Sequence, residues 1–291
     1  MSKEKFNIYE EITNRIIEQL EDGNIPWHKP WSGLTSGAYN RISKKPYSLL
    51  NQMLLKHEGE YATYKQWSEL GGKVRKGEKS EIVVFWKMLE VEEKNNNNNR
   101  IEKKTIPLLK YINVFHVSQV DGVEPKEIKK VEHKPIEEAE KIKESYANRE
   151  NILIKETVSN RAFYSPVNDY IQVPCKEQYK DINEFYSTLF HEMIHSTGHK
   201  DRLKRLDCSI KFASFGSEDY SKEELIAEIG SAFLMNHIGI ESNRTFKNST
   251  AYIQSWLRVL RNDNRFIVSA SGKAEKAMKY ILGTEENLVT E

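Results

Sequence analysis

The sequence predicts an α+β protein of two domains, and three observations carry that prediction. Helical apolar periods and a pair of strand-like aromatic, β-branched runs occupy residues 1–123. A charge-dense stretch with few large apolar groups follows at 124–134, as expected of a linker. From 135 to 291 short strands come first and helices afterwards, the order of an α+β unit. A chain of 291 residues has the length for two ordinary domains.

The elements follow in order. Ile8, Ile12, Ile16 and Leu20 recur at three- to four-residue spacing and predict a helix that Gly23 ends. In IPWHKPW, Pro26 and Pro30 forbid regular structure and hold Trp27 and Trp31 in an extended turn. Helices are expected over Leu49–His57 and over Tyr64–Leu70, the second closed by Gly71 and Gly72. The charged turn KVRKGEK then feeds a strand over Ile82–Leu89. No apolar residue lies between Glu92 and Arg100, so this asparagine run is expected at a solvated hairpin tip before LLKYINVFHVSQV returns. The second domain opens with a helix over Ile136–Tyr146 and strands over Ile152–Thr157, Arg161–Ser165 and Tyr170–Pro174. Helices then begin near Ile182 and recur over Lys222–Ile238, Thr250–Arg261 and Lys273–Leu282.

Composition limits the function classes. With 44 basic and 43 acidic residues the whole chain names no partner by charge. No run approaches the roughly 18 apolar residues a membrane span needs, and MSKEKFNIYEEI lacks the core of a signal peptide, so a cytoplasmic protein is expected. The two cysteines, Cys175 and Cys208, form no Cys-x-x-Cys pair and are expected as reduced thiols outside any metal site.

The chemistry concentrates in His191-Glu192-Met193-Ile194-His195, the H-E-x-x-H pattern. On a helix, residues four apart share a face, so both imidazoles can reach one Zn2+ ion. Glu192 is displaced around the helix, near enough to take a proton from a water that the metal acidifies. Three neighbouring features support the motif: a well-patterned helix around it, the short strand YIQVP before it and an acidic helix after it. Together they match the zincin layout, in which YIQVP is expected as the edge strand above the metal. A catalytic zinc takes three protein ligands. Asp201 completes H-E-x-x-H-x-x-G-x-x-D and is one candidate for the third. Glu224 in EELIAE is the favoured one, because Glu224 and Glu228 share a face of an otherwise apolar helix. There Glu228 can accept from the free ring nitrogen of a ligand histidine. His199, past Gly198, is expected to be solvated or capping.

The N-terminal half holds no such constellation. It interleaves aromatics with basic residues, nine basic against four acidic between Asn40 and Lys79. Stacking platforms beside a positive groove hold single strands of nucleic acid without reading sequence. On that ground Trp27, Trp31, Lys44, Lys45, Tyr47, Arg75, Lys76, Lys79 and Trp86 are candidate contacts for single-stranded DNA; the alternative is aromatics in the core beside merely solvated lysines.

Stretches from end to end carry a family resemblance. IYEEITNRIIEQLEDGNIPWHKPW, TYKQWSELGGKVRKGEKSEIVVFW and YINVFHVSQVDG in the first half join FYSPVNDYIQVP, FYSTLFHEMIHSTGHKDRL, EELIAEIGSAFL and YIQSWLRVLRNDNRFIVSASGKAEKAMKYIL in the second. The chain thereby resembles the ArdC-type antirestriction proteins of conjugative plasmids and integrated mobile elements. The resemblance implies a domain for single-stranded DNA, a zincin-like metallopeptidase domain, and protection of incoming DNA from host restriction. It carries His191, Glu192 and His195 over as the metallopeptidase motif, matches the EELIAE segment and supplies no fixed aspartate at the place of Asp201. The asparagine run falls outside the family pattern as an insertion. A host protein is the expected peptidase substrate. Two other functions compete: a DNA-coating protein braced by a structural zinc, and a regulatory protease that cleaves a repressor. An intact Glu192 argues against the first, since a structural site needs no general base.

Overall fold

The period of Ile12, Ile16 and Leu20 is buried along helix α1 (Ile8–Glu21), whose first turn is capped by Asn7 accepting the Tyr9 N–H at 3.1 Å. A computed structural model describes residues 6–28, 37–94, 101–126, 134–206, 218–240 and 249–284. After a single 3-10 turn at Pro26–His28 come β1 (Tyr39–Asn40), α2 (Leu49–Leu54), β2 (Glu60–Ala62), α3 (Tyr64–Glu69) and β3 (Lys73–Val74). These are followed by β4 (Glu81–Lys94), β5 (Ile101–His116) and β6 (Val120–Asp121). The second half contains α4 (Pro135–Glu150), β7 (Leu153–Thr157), β8 (Phe163–Ser165), β9 (Tyr170–Pro174), α5 (Ile182–Thr197), α6 (Glu218–His237), α7 (Ser249–Asn262) and α8 (Phe266–Leu282). The protein is α+β, as its sequence predicts.

In the first half the strands form a sheet of order β1-β2-β5-β4. Strands β4 and β5 pair antiparallel from Glu81↔Val114 to Lys94↔Ile101, whereas β2 reaches only Phe115 and His116. Most of the hairpin is therefore a two-stranded ribbon. Pro107 fits in β5 because β5 has a single neighbour at that level. The asparagine loop between the strands, and residues 127–133 of the expected linker, lie outside the described residues.

The second half contributes a three-stranded sheet of order β7-β9-β8, with β8 antiparallel to β9. This corrects the edge-strand expectation for YIQVP: Tyr170–Pro174 is the central strand, and the edge beside α5 is β8. Ile171 and Val173 are wholly buried, and Pro174 is tolerated because it ends the strand. Helix α8 starts well before Lys273. Ser271 donates its hydroxyl to the Ile267 carbonyl at 2.7 Å, so the SASG segment that reads as a break is carried through as helix.

One apolar core joins the halves. Ile12, Ile16, Leu20, Trp27, Leu50, Met53, Val84 and Leu109 belong to the same buried cluster as Phe185, Leu189, Ile194, Leu225, Trp256 and Ile267. Trp27 meets Trp256 of α7 edge-to-face, with ring centroids 5.3 Å apart. Truncating Trp27 to Ala should therefore cost about 3–5 kcal/mol. Circular dichroism and tryptophan fluorescence should report one shared thermal transition, lowered in the mutant; two independent transitions would show that the halves fold apart.

Candidate metal centre

Helix α5 starts at Asp181, whose side chain accepts the Asn183 N–H at 2.9 Å, and buries Phe185, Leu189, Met193 and Ile194 in the core. That choice of face turns His191 and His195 together toward α6. Their rings lie 4.7 Å apart and their Nε2 atoms 3.0 Å apart. Helix α6 approaches closely because Gly230 carries no side chain. A Cβ there would meet Ile194 Cδ1 at 2.7 Å. At the end of α5, Gly198 leaves room for Leu206 of the following segment, whose Cγ a Cβ would meet at 2.8 Å.

From α6, the Glu224 carboxylate reaches both imidazoles, one oxygen 3.4 Å from His191 Nε2 and the other 3.4 Å from His195 Nε2. Among the described residues, His191, His195 and Glu224 are the group of three whose donor atoms lie within 4.8 Å of one another. Two imidazoles and one carboxylate, with no thiolate, are a donor set that suits zinc and other divalent first-row cations. The outer ring nitrogens also face carboxylates: His191 Nδ1 is 3.6 Å from Glu228, and His195 Nδ1 is 3.4 Å from Glu223. Asp201 lies apart, 74% exposed, with its carboxylate 3.5 Å from His199 Nδ1. His199 is buried rather than solvated, and its ring nitrogen accepts the Asp201 N–H at 3.3 Å.

The electrostatics favour a cation. Burial pushes both histidines down, but the carboxylates outweigh it. Glu224 holds His191 above its ordinary value, and Glu223 with Glu224 holds His195 well above. Glu224 is pushed up by burial but pulled below the usual carboxylate range by the two imidazoles. Burial raises Glu192, opposed by His191, His195 and the backbone N–H of Tyr164 on β8.

Sequence reasoning missed three supporting groups. Glu223 precedes Glu224 and faces the outer nitrogen of His195; the acidic doublet on an apolar helix was the available signal. Arg205 donates to the Ile194 carbonyl at 2.8 Å and to Glu223 at 3.0 Å, tying the end of α5 to α6. Arg202 donates to the Ser196 carbonyl at 2.7 Å, to the Tyr164 hydroxyl at 3.1 Å and to Asp169, bracing β8 against α5. Neither arginine is separable from a solvated one by spacing.

The residues considered for DNA divide. Trp27 is wholly buried and offers no ring face, because it fills the space under Trp256. Trp31 lies outside the described residues. Tyr47 packs on Tyr61, ring centroids 6.4 Å apart, and burial raises its hydroxyl. Arg75 is held by Glu78, Asp121 and the Ser118 carbonyl. Lys44, Lys45, Lys76 and Lys79 are exposed on segments outside helices and strands. Trp86 is 49% exposed on the β4–β5 ribbon, where Phe85, Met88, Ile106, Leu108 and Tyr111 are exposed as well. Cys175 is a free thiol and stands outside the metal-ligating group, and Cys208 falls outside the described residues. Among the described residues no helix is long and apolar enough to cross a membrane.

Comparison with known proteins agrees with this architecture. Residues 6–115 match the N-terminal domain of the anti-restriction factor ArdC, and residues 140–273 match a zincin-like metallopeptidase. The zincin-like domain implies a metal. Two Escherichia coli proteins described as DNA primase TraC are 33% and 34% identical over 100% and 97% of this chain. The chain spans only 28% and 20% of their lengths. An uncharacterised protein of Sinorhizobium fredii (strain NBRC 101917 / NGR234) is 34% identical over 93% of this chain and 90% of its own length. The metal-free crystal structure of the antirestriction ArdC protein from plasmid R388 superposes with a TM-score of 0.75 at 33% identity, covering 96% of this chain and 98% of that one. Its Mn(II)-bound form gives 0.76 at 31% identity over 97% and 100%. Matching both domains and aligned over more than nine-tenths of that fold at above 30% identity, the chain belongs to the ArdC antirestriction family.

Proposed function

We propose that this chain is an antirestriction protein that binds single-stranded DNA through its N-terminal half and hydrolyses peptides at a zinc site formed by His191, His195 and Glu224. The convergence of those three donors beside the buried Glu192 carries the proposal. Held by His191, His195 and Glu224, a zinc ion would supply Lewis acidity toward a water and a peptide carbonyl. Glu192 then has the work of a general base: its carboxylate takes the proton of the attacking water and hands it to the departing amine. Glu223 and Glu228 hold the outer nitrogens of the histidines and so fix the ring orientations. Among the described residues β8 is an edge strand, and its outer side can pair an extended peptide through its backbone, with Arg202 and Asp169 keeping the strand in place. The peptide substrate is proposed to be a host protein.

On the DNA side, the ribbon supplies the exposed aromatic faces, with Trp86 chief among them, and Lys76 and Lys79 supply positive charge. Lys44 and Lys45 extend that charge. The cytoplasm, where incoming mobile DNA meets restriction enzymes, is the proposed compartment.

Metal analysis of the purified chain should find one zinc per molecule. The metal should be lost from His191→Ala and Glu224→Ala and kept by Asp201→Ala. Undiminished zinc in His191→Ala would remove the site.

Glu192→Gln should retain zinc while peptide hydrolysis falls by about 10²–10⁴-fold. Transfer of a mobile element into a restricting host, with wild type and Glu192→Gln side by side, then separates a proteolytic role from DNA coating. Full protection by the variant would assign protection to DNA binding alone.

Trp86→Ala should weaken binding of short single strands by about 1–3 kcal/mol, similarly for different base sequences. Lys76→Ala and Lys79→Ala should each lower the salt slope by about 0.7. A folded Trp86→Ala chain of unchanged affinity would take the ribbon out of the DNA site.

A further inference from the structure

We infer that His28, which belongs to the N-terminal half, is a positioning residue of the metal centre in the C-terminal half, acting through Glu228. The inference rests on the zinc site proposed above and deepens it. The Glu228 carboxylate stands between two imidazoles. One oxygen lies 3.6 Å from His191 Nδ1 and the other 3.8 Å from His28 Nε2. A carboxylate with a neighbour at each oxygen has less freedom to rotate than one with a single partner. The orientation it imposes on His191 is thereby fixed from outside α6.

His28 is placed to do this. Pro26 fixes the backbone of the 3-10 turn Pro26–His28. Trp27 locks the turn down by filling the core against Trp256 at 5.3 Å. The His28 ring stands nearly perpendicular to that of Trp27, 85° between planes, and only 7% of the residue is exposed. A turn anchored by a buried tryptophan holds the next side chain far more firmly than a surface loop does. The IPWH segment therefore serves as a strut: Trp27 docks it, and His28 reaches the carboxylate behind the metal ligand. Metal affinity in the second half then depends on a residue of the first, and by linkage a bound metal stabilises the docked turn in return.

The test is the zinc affinity of the full chain, measured by competition with a chromophoric chelator. Groups that orient a ligand typically change metal affinity 10–100-fold when removed. Glu228→Gln is expected in that range and His28→Phe at about its lower end. Phenylalanine fills the volume of the imidazole without a donor, so the fold is kept, as an unchanged melting temperature of the metal-free chain would show. His28→Gln, which restores a donor at similar reach, should recover most of the affinity. In a Glu228→Gln background His28→Phe should have no further effect. A His28→Phe chain that melts normally and binds zinc as wild type does would overturn the inference alone. A wild-type chain that binds no zinc would overturn the metal site together with it. Full additivity of the two substitutions would show that His28 does not act through Glu228.

Discussion

The close approach of α5 and α6 is the constraint on which the rest of the structure depends. Gly230 lets Ile194 lie against the α6 backbone, and at that separation a carboxylate one helical turn and a half away can touch both imidazoles of α5. A larger residue at 230 would have to displace the branched, wholly buried Ile194. The separation of the two helices therefore sets the separation of the donors. Because the donors come from side chains on regular helices rather than from loops, their geometry is inherited from backbone packing.

The N-terminal half is part of the same packing. Helix α2 packs against both β4 and α8, and α8 in turn packs on α5 and α6. Val84 and Leu109, at the root of the β4–β5 ribbon, are buried in the cluster that also holds Phe190 and Met193. The ribbon itself leaves this core after a few residues, and among the described side chains Phe85, Trp86, Met88, Ile106 and Leu108 are exposed. Strict alternation cannot bury such a strand: Phe85 and Trp86 are neighbours in sequence and so point to opposite faces, yet both are exposed. The ribbon is held at its base and offers aromatic surface beyond it.

Much of the candidate site was legible because helical spacing is a local property. His191, Glu192 and His195 need only a helix, and the flanking Leu189, Phe190, Met193 and Ile194 predict one. Glu224 was preferable to Asp201 for a related reason, since two inward carboxylates on an apolar helix require a partner, whereas a residue past Gly198 is free to face solvent. What failed to be legible depends on tertiary neighbours. Strand order decides whether YIQVP is central or an edge, and no spacing within the strand encodes it. Burial decides whether Trp27 or Trp86 can stack on a base. Both sit among basic residues, but only Trp27 has Trp256 opposite it. Arg202 and Arg205 act across the chain on Asp169 and Glu223, contacts that composition does not contain.

The distribution of charge explains why Arg205 stands where it does. Glu192, Glu223, Glu224 and Glu228 crowd around two imidazoles in a largely buried space. Carboxylates in such surroundings are costly without positive partners. The chain provides a nearby guanidinium, and it is placed on Glu223, 3.0 Å away, rather than on Glu224. Glu223 faces the outer nitrogen of His195 and is not among the three groups whose donors converge. Neutralising it there leaves the charge of Glu224 available at the inner side, where the Nε2 atoms meet. An arginine on Glu224 would satisfy the same carboxylate count and fill the space a cation needs. On the proposed site the arrangement separates two tasks among adjacent glutamates: one is paired beside the outer nitrogen of His195, and the other is left open toward the proposed ion.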